Sequence, residues 1–281
     1  MYAGWFYYKP GLKDPGLLTQ SLRLSKIFMK KILFSLVVLS FCSMAKAQNI
    51  FEKDYTKPEA TEVAGPLPKI VTPGIGSAPP SDAIVLFNGK NLDNWVMSKD
   101  KSTCLWKLQD GMMTFKPGTG DIQTKQKFGD CQLHVEFKIP ADAKNSTERN
   151  NAGNSGVFMQ ERYEVQIFDS YNNETPLYAN GQMGSIYKQV IPMANASSKP
   201  GDWNTFDIYY TAPRFRYNGS VEKPAYITLV HNGVLTLNHF EIQGTIEYIG
   251  IPRYELHDKA AIKLQGHGSE VSFRNIWIRA L

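Results

Sequence analysis

The sequence predicts an all-β protein, an antiparallel β-sandwich that begins near residue 82 and runs to residue 281. Three observations predict it. The run CQLHVEFKI alternates, with Cys131, Leu133, Val135, Phe137 and Ile139 on one face and Gln132, His134, Glu136 and Lys138 on the other. Two turn dipeptides, Asp110-Gly111 and Asn232-Gly233, each join a pair of β-rich runs. No long stretch repeats its apolar residues at the helical period, and no internal repeat is present.

The elements follow in chain order. AIVLF (83–87) is a short apolar strand. LWKLQDGMMTF (105–115) reads as a hairpin about Asp110-Gly111. CQLHVEFKI (131–139) is the alternating strand, whose polar face places His134 toward solvent. GNSGVFMQERYEVQIFDSYNN (153–173) reads as one further strand. TFDIYY (205–210), a hairpin YITLVHNGVLTLNH (226–239) and VSFRNIWI (271–278) complete the series. His231, just before the Asn232-Gly233 turn, is expected to be structural, and His239 and His257 fall in loop-like contexts. Trp95, Trp106, Trp203 and Trp277 are expected in core or rim packing, with sugar stacking as the alternative.

The chain of 281 residues is 42% hydrophobic, enough to bury a substantial core. Its formal charge of +5 is misleading. Residues 1–47 hold seven of the 31 Lys/Arg and one of the 26 Asp/Glu, which leaves 24 basic and 25 acidic residues in 48–281. No basic stripe remains to argue for nucleic acid. The leader itself has the parts of a signal peptide over 29–47: Met29-Lys30-Lys31, the apolar run Ile32 to Phe41, and Ala45-Lys46-Ala47 before a cleavage point. Residues 1–28 are expected to be an over-extended start. The apolar run is too short for a membrane span. The predicted location is therefore periplasmic or extracellular, with a lipid anchor at Cys42 as the weaker alternative. Residues 48–81, rich in Pro and Gly, read as a tether or strap, and 82–281 as a jelly-roll catalytic domain. Cys104 and Cys131 are two small buried side chains or one disulfide; their spacing does not decide between them.

The stretch from Gly153 carries the chemical question. Tyr163, Val165 and Ile167 alternate with Arg162, Glu164 and Gln166, and Asp169 would then fall on the apolar side, which predicts a bulge or strand end there. The polar row is either a solvated outer face or the floor of a cleft. The glycines of Gly153-Asn154-Ser155-Gly156, which permit close backbone approach, and the mixed polar types favour the cleft.

Six segments together resemble one family: LFNGKNLDNW (86–95), TKQKFGDCQLHVEF (124–137), GNSGVFMQERYEVQIFDSYNN, WNTFDIYYTAPRF (203–215), LVHNGVLTLN (229–238) and LQGHGSEVSFRNIWIR (264–279). The chain is identified on them as similar to the 3-keto-disaccharide hydrolase domain family, over about 81–281. That resemblance implies a concanavalin A-like jelly roll and a sugar whose C3 hydroxyl is already a ketone. It departs at Gly266, where the family's Leu-Gln-Asp-His-Gly motif has Asp, so a carboxylate that could orient His267 is missing.

A C3 ketone acidifies the C2 proton and sets the C1 oxygen β to a carbonyl. A base at C2 then expels the aglycone, and water can add to the enone. The reaction needs a base, a group facing the C3 oxygen and a proton for the leaving group. The resemblance implies Glu164 as the base, supported by Gln166 and Arg162, with Lys125 and His267 for the enolate or leaving group and Asp169 as an orienting residue. Asn154, Arg162, Tyr187 and Gln265 are the substrate-binding candidates. No cofactor is predicted; calcium on Asp121 or Asp169 with loop carbonyls stays open. No nicotinamide fingerprint or phosphate-cradling glycine loop is present, so a separate enzyme must oxidise C3. The expected partner is a carbohydrate. The alternatives are a non-catalytic carbohydrate-binding or lectin-like module and an ordinary glycosidase, for which Gln166 in the middle of the row is a poor fit.

Overall fold

The computed structural model describes residues 56–143, 152–173 and 177–281. The expectations placed on 1–55, including the leader and Cys42, lie outside these residues. The chain divides into two units, 1–69 and 70–281. The described part of the first contains a single 3-10 turn, Pro58–Ala60.

The second unit is an antiparallel β-sandwich, as predicted. Its strands are β1 (Ile84–Phe87), β2 (Trp95–Met97), β3 (Lys107–Gln109), β4 (Met112–Thr114), β5 (Ile122–Phe128), β6 (Cys131–Lys138), β7 (Ser155–Met159), β8 (Tyr163–Ile167), β9 (Asn204–Thr211), β10 (Arg214–Phe215), β11 (Val221–Lys223), β12 (Tyr226–His231), β13 (Val234–Glu241), β14 (Ala260–Leu264) and β15 (Ser272–Ala280). The larger sheet runs β13-β12-β9-β6-β15-β4-β3, with β1 also on β15; the smaller runs β2-β5-β14-β7-β8; β10 and β11 form a separate ribbon.

Alternation along the strands builds the core. Leu133, Val135, Phe137, Phe206, Ile208 and Phe273 of the larger sheet meet Ile122, Val157, Val165, Ile167, Ile262 and Leu264 of the smaller in one apolar cluster. Removing each such side chain from water contributes about 1.5–3 kcal/mol. Cys104 and Cys131 are both buried and both free thiols.

Both predicted hairpins form. Asp110 (φ 52°) with Gly111 (φ 71°), and Asn232 (φ 49°) with Gly233 (φ 81°), hold the left-handed pair that a two-residue turn requires. The stretch read as one strand at 153–173 is instead a hairpin, β7 and β8. Its turn places Gln160 (φ 50°) and Glu161 (φ 64°) in the left-handed region with no glycine to announce it. Side chains hold this turn. Gln160 Nε2 donates to the Phe128 carbonyl at 3.1 Å, and Gln160 Oε1 accepts from Tyr210 Oη at 2.8 Å. Arg162 Nη1 donates to the Gln160 carbonyl at 3.1 Å, and Glu161 Oε1 accepts from the Ala261 N–H at 3.1 Å. Five strands were not anticipated at all: β2, β10 and β11 have only two or three residues, β5 carries a polar bulge at its middle, and β14 is an apolar run too short to show a period.

His134 does not face solvent. It is buried, hydrogen-bonded through Nδ1 to Asp207 at 2.7 Å and stacked on Trp277 at 5.2 Å. Ser77 covers this patch: its hydroxyl donates to Glu136 Oε1 at 2.9 Å and its carbonyl accepts from Trp277 Nε1 at 3.0 Å. His231 is structural, buried against Phe206 with Nε2 3.1 Å from Asn204 Oδ1, and burial pushes it down to about 4. His239 lies within β13, stacked on Tyr226.

Candidate functional site

The smaller sheet buries both of its faces at β7 and β8. Tyr163, Val165 and Ile167 enter the core between the sheets. Glu164 and Gln166 point the other way, yet they are only 4% and 3% exposed, so the polar row is not a solvated face. Loop residues extend the sheet beside it. Ile186 bridges to Val165, the Gln166 N–H donates to the Ser185 carbonyl at 3.0 Å, and the Tyr187 N–H donates to the Glu164 carbonyl at 3.3 Å. The free edge of β8 is thereby closed by the 184–187 segment.

Strand register then sets the neighbours of Glu164. Gln123 of β5 stands opposite Lys263 of β14, Lys263 opposite Phe158 of β7, and Phe158 opposite Glu164 of β8. The Val165–Ile186 bridge extends this row to Tyr187. An adjacent row holds Gln265, Gly156, Gln166 and Ser185: the Gln265 N–H donates to the Gly156 carbonyl at 3.0 Å, and Gly156 pairs with Gln166. Side chains of both rows share one face, because alternation repeats every two residues.

Within the first row, Lys263 Nζ lies 3.9 Å from the centre of the Phe158 ring and 3.4 Å from Asp121 Oδ2. Asp121 Oδ1 also accepts from the Gly266 N–H at 3.0 Å. The Glu164 carboxylate leans over Gly156, where a Cβ would lie 2.3 Å from Glu164 Oε1. Burial raises Glu164 to about 8; the Lys263 charge opposes that rise and the Asp121 charge adds to it. Around it, Gln166 Oε1, Gln265 Oε1 and Ser185 Oγ are buried without a hydrogen-bond partner. Unpaired buried polar atoms are costly, and their grouping beside a perturbed carboxylate makes this face the candidate ligand position.

The structure thus brings together Glu164, Gln166, Gln265 and Tyr187. Asn154 lies half-buried at the entrance to β7. Asp169 follows the end of β8, as the broken alternation predicted, and accepts the Tyr171 N–H at 3.2 Å. Lys125 is exposed on the bulge of β5, and His267 is exposed beyond the end of β14. Arg162 belongs to the hairpin turn, where its charge is felt by Tyr163 and His257. The cation that bears on Glu164 is Lys263, which the sequence reading passed over. Its signal was one lysine inside the apolar run AAIKL, directly before LQGHG. Gly266 is explained by packing: a Cβ there would lie 2.4 Å from Phe115 Cε2 and 2.6 Å from the Gly120 carbonyl oxygen.

A cleft of about 470 Å³ lies elsewhere, lined by Phe128, Asp130, Arg214, Phe215 and His257 among others, and none of the residues proposed from sequence reaches it. Among the described residues no group of three or more His, Cys, Asp or Glu is placed to hold a metal ion. No helix among them is long and apolar enough to cross a membrane.

A family model described as the 3-keto-alpha-glucoside-1,2-lyase-like domain matches residues 82–279. A curated protein of Bacteroides thetaiotaomicron named 3-keto-disaccharide hydrolase is 24% identical over 238 residues, which cover 70% of this chain and 78% of that protein. A crystal structure from Parabacteroides distasonis ATCC 8503, named as a candidate glycosyl hydrolase, is 48% identical, with a TM-score of 0.74 over 80% of this chain and 97% of its own. A second structure from that organism, 23% identical and covering 71% of this chain and 94% of its own, shares the fold with a TM-score of 0.53.

Proposed function

The chain belongs to the 3-keto-alpha-glucoside-1,2-lyase-like domain family, and from that membership we propose that it cleaves 3-keto-glycosides, with Glu164 as the base that removes the C2 proton. The observation that carries this reading is the Glu164 carboxylate itself: buried, leaning over a glycine, and in register with the Lys263 cation. A carboxylate raised to about 8 is a stronger base than an ordinary one, which suits removal of a proton activated only by a neighbouring ketone. Lys263 faces the C3 oxygen, where negative charge grows as the C2 proton leaves. Gln166 and Gln265 offer their unpaired amide oxygens to the ring hydroxyls.

In the first step the C2–H bond breaks, Glu164 takes the proton and the electron pair forms the enolate at C2–C3. The pair then returns to restore the C3 carbonyl, a C1–C2 double bond forms and the C1–O bond to the aglycone breaks. Water adding to C1, with the Glu164 proton returned to C2, completes net hydrolysis. The ketone is supplied by a separate C3-oxidising enzyme. We place the enzyme outside the cytoplasm on the strength of the leader at 29–47; N-terminal sequencing of exported protein should begin at Gln48.

The test is a cleavage assay on a 3-keto-disaccharide and its unoxidised parent, for wild type and Glu164→Gln. Release of sugar from the keto form alone, abolished in the variant, supports the reading. Turnover of the parent sugar would replace it with ordinary glycosidase chemistry. Binding without turnover would make the protein a carbohydrate-binding module.

A further inference from the structure

The order of groups along the Glu164 row matches the order of the atoms they would serve. Lys263 stands on one side of Glu164, beyond Phe158; Tyr187 stands on the other, directly across the β8 edge. On the substrate, C3 with its ketone lies on one side of C2 and C1 with its leaving oxygen on the other. A sugar bound with C2 over Glu164 and its C3 oxygen toward Lys263 presents its C1 oxygen to Tyr187. Resting on the proposed function above, we propose that Tyr187 is the proton donor to the leaving oxygen and that Tyr178, Tyr187 and Tyr248 form the wall against which the departing group sits.

The surroundings of Tyr187 fit a proton donor. Its hydroxyl lies 2.5 Å from that of Tyr178, so a proton given up at Tyr187 is replaced from a hydroxyl already in contact. Burial, the hydrogen bond with Tyr178 and the nearby Glu164 charge all raise its pKa above the usual phenol value, so the hydroxyl keeps its proton until a strongly basic leaving oxygen takes it. Lys188 sits among the rings, with Nζ 4.2 Å from the centre of Tyr248, 5.4 Å from Tyr178 and 5.8 Å from Tyr187, and stabilises electron density gathering on a phenolate. The Lys188 backbone is left-handed at φ 58°, held by its N–H on the Asn180 carbonyl at 2.7 Å and its Nζ on the Tyr248 carbonyl at 2.5 Å. Tyr187 itself is set beside Glu164 by its N–H on the Glu164 carbonyl at 3.3 Å and by the Val165–Ile186 bridge.

The step balances. As the C1–O bond breaks, the leaving oxygen takes the Tyr187 hydroxyl proton. When water adds to C1, its proton returns to Tyr187 and the proton on Glu164 returns to C2.

Two 3-keto substrates separate this role from mere packing: a 3-keto-disaccharide, whose alkoxide leaving group needs a proton, and a 3-keto 4-nitrophenyl glycoside, whose leaving group does not. Tyr187→Phe should lose about 100-fold in kcat on the disaccharide and at most a few-fold on the nitrophenyl glycoside. Tyr178→Phe should show the same selectivity more weakly. Glu164→Gln should abolish both reactions. Equal losses on the two substrates, or no loss in a Tyr187→Phe protein whose thermal midpoint matches wild type, overturn the assignment while leaving Glu164 as base. Wild-type failure to cleave either keto substrate overturns the proposed function and this assignment with it.

Discussion

Gly156 and Glu164 occupy neighbouring strands so closely that the carboxylate fills the space a side chain would need. A Cβ on Gly156 would stand 2.3 Å from Glu164 Oε1, 2.9 Å from its Cγ and 3.0 Å from its Cδ. Gly156 is thus a steric condition on where the carboxylate can lie, independent of any turn. Gly156→Ala is expected to displace Glu164 and lower kcat about 100-fold, since an ångström of misplacement costs that much. Its stability loss should stay within about 1–3 kcal/mol. Steady-state kinetics and a urea titration of the same protein check both halves; unchanged kinetics would remove Glu164 from the chemistry.

The raised pKa of Glu164 makes two pH predictions. Activity that needs the carboxylate should rise with pH and level off above about 8. Stability should move the opposite way. The unfolded chain releases this proton near the ordinary value of 4.5, whereas the folded protein keeps it until about 8. Between those values the folded state binds more protons, so stability declines as pH rises, by about 1.4 kcal/mol for each unit of separation. Glu164→Gln should flatten that decline in thermal midpoints recorded from pH 5 to 9.

Lys263 opposes the rise in Glu164, so its removal has a definite sign. In Lys263→Met the ascending limb of the rate profile should move to higher pH, because Glu164 loses the charge that favours its ionised form. kcat should also fall about 100-fold if the ammonium faces the enolate oxygen. A fall in kcat with no displacement of the limb would separate Lys263 from Glu164.

The space around Gly266 is closed by Phe115 and the Gly120 carbonyl. Gly266→Asp is therefore expected to destabilise by about 2 kcal/mol or more without raising activity. Asp121 already receives the Gly266 N–H and pairs with Lys263. A gain in activity in Gly266→Asp would show that a carboxylate at that position is needed beside His267.

Cys104 and Cys131 are free and buried, and burial raises both thiols, Cys131 to about 12. Few thiolates form at neutral pH. A maleimide should label neither residue in native protein at pH 7 and both in denaturant without reductant. A mass two units lower under non-reducing conditions would reveal a disulfide instead.

Much of this molecule is set by short-range patterns and is legible in its residues alone. The alternation of Cys131–Lys138, the Asp110-Gly111 and Asn232-Gly233 turns and the broken alternation at Asp169 each follow from backbone geometry within a few residues. The same patterns put Glu164 and Gln166 on one face of one strand. The tertiary structure decided what that face meets. The turn at Gln160 and Glu161 has no glycine, because its strain is held by contacts from Phe128, Tyr210 and Ala261, distant in sequence. Lys263 and Tyr187 became neighbours of Glu164 only through strand order and register, and His134 was taken from solvent by Ser77 and Trp277. Periodicity is a local property of the chain. Burial and the electric field at a carboxylate are sums over whatever the fold brings beside it, and no short stretch of sequence contains that sum.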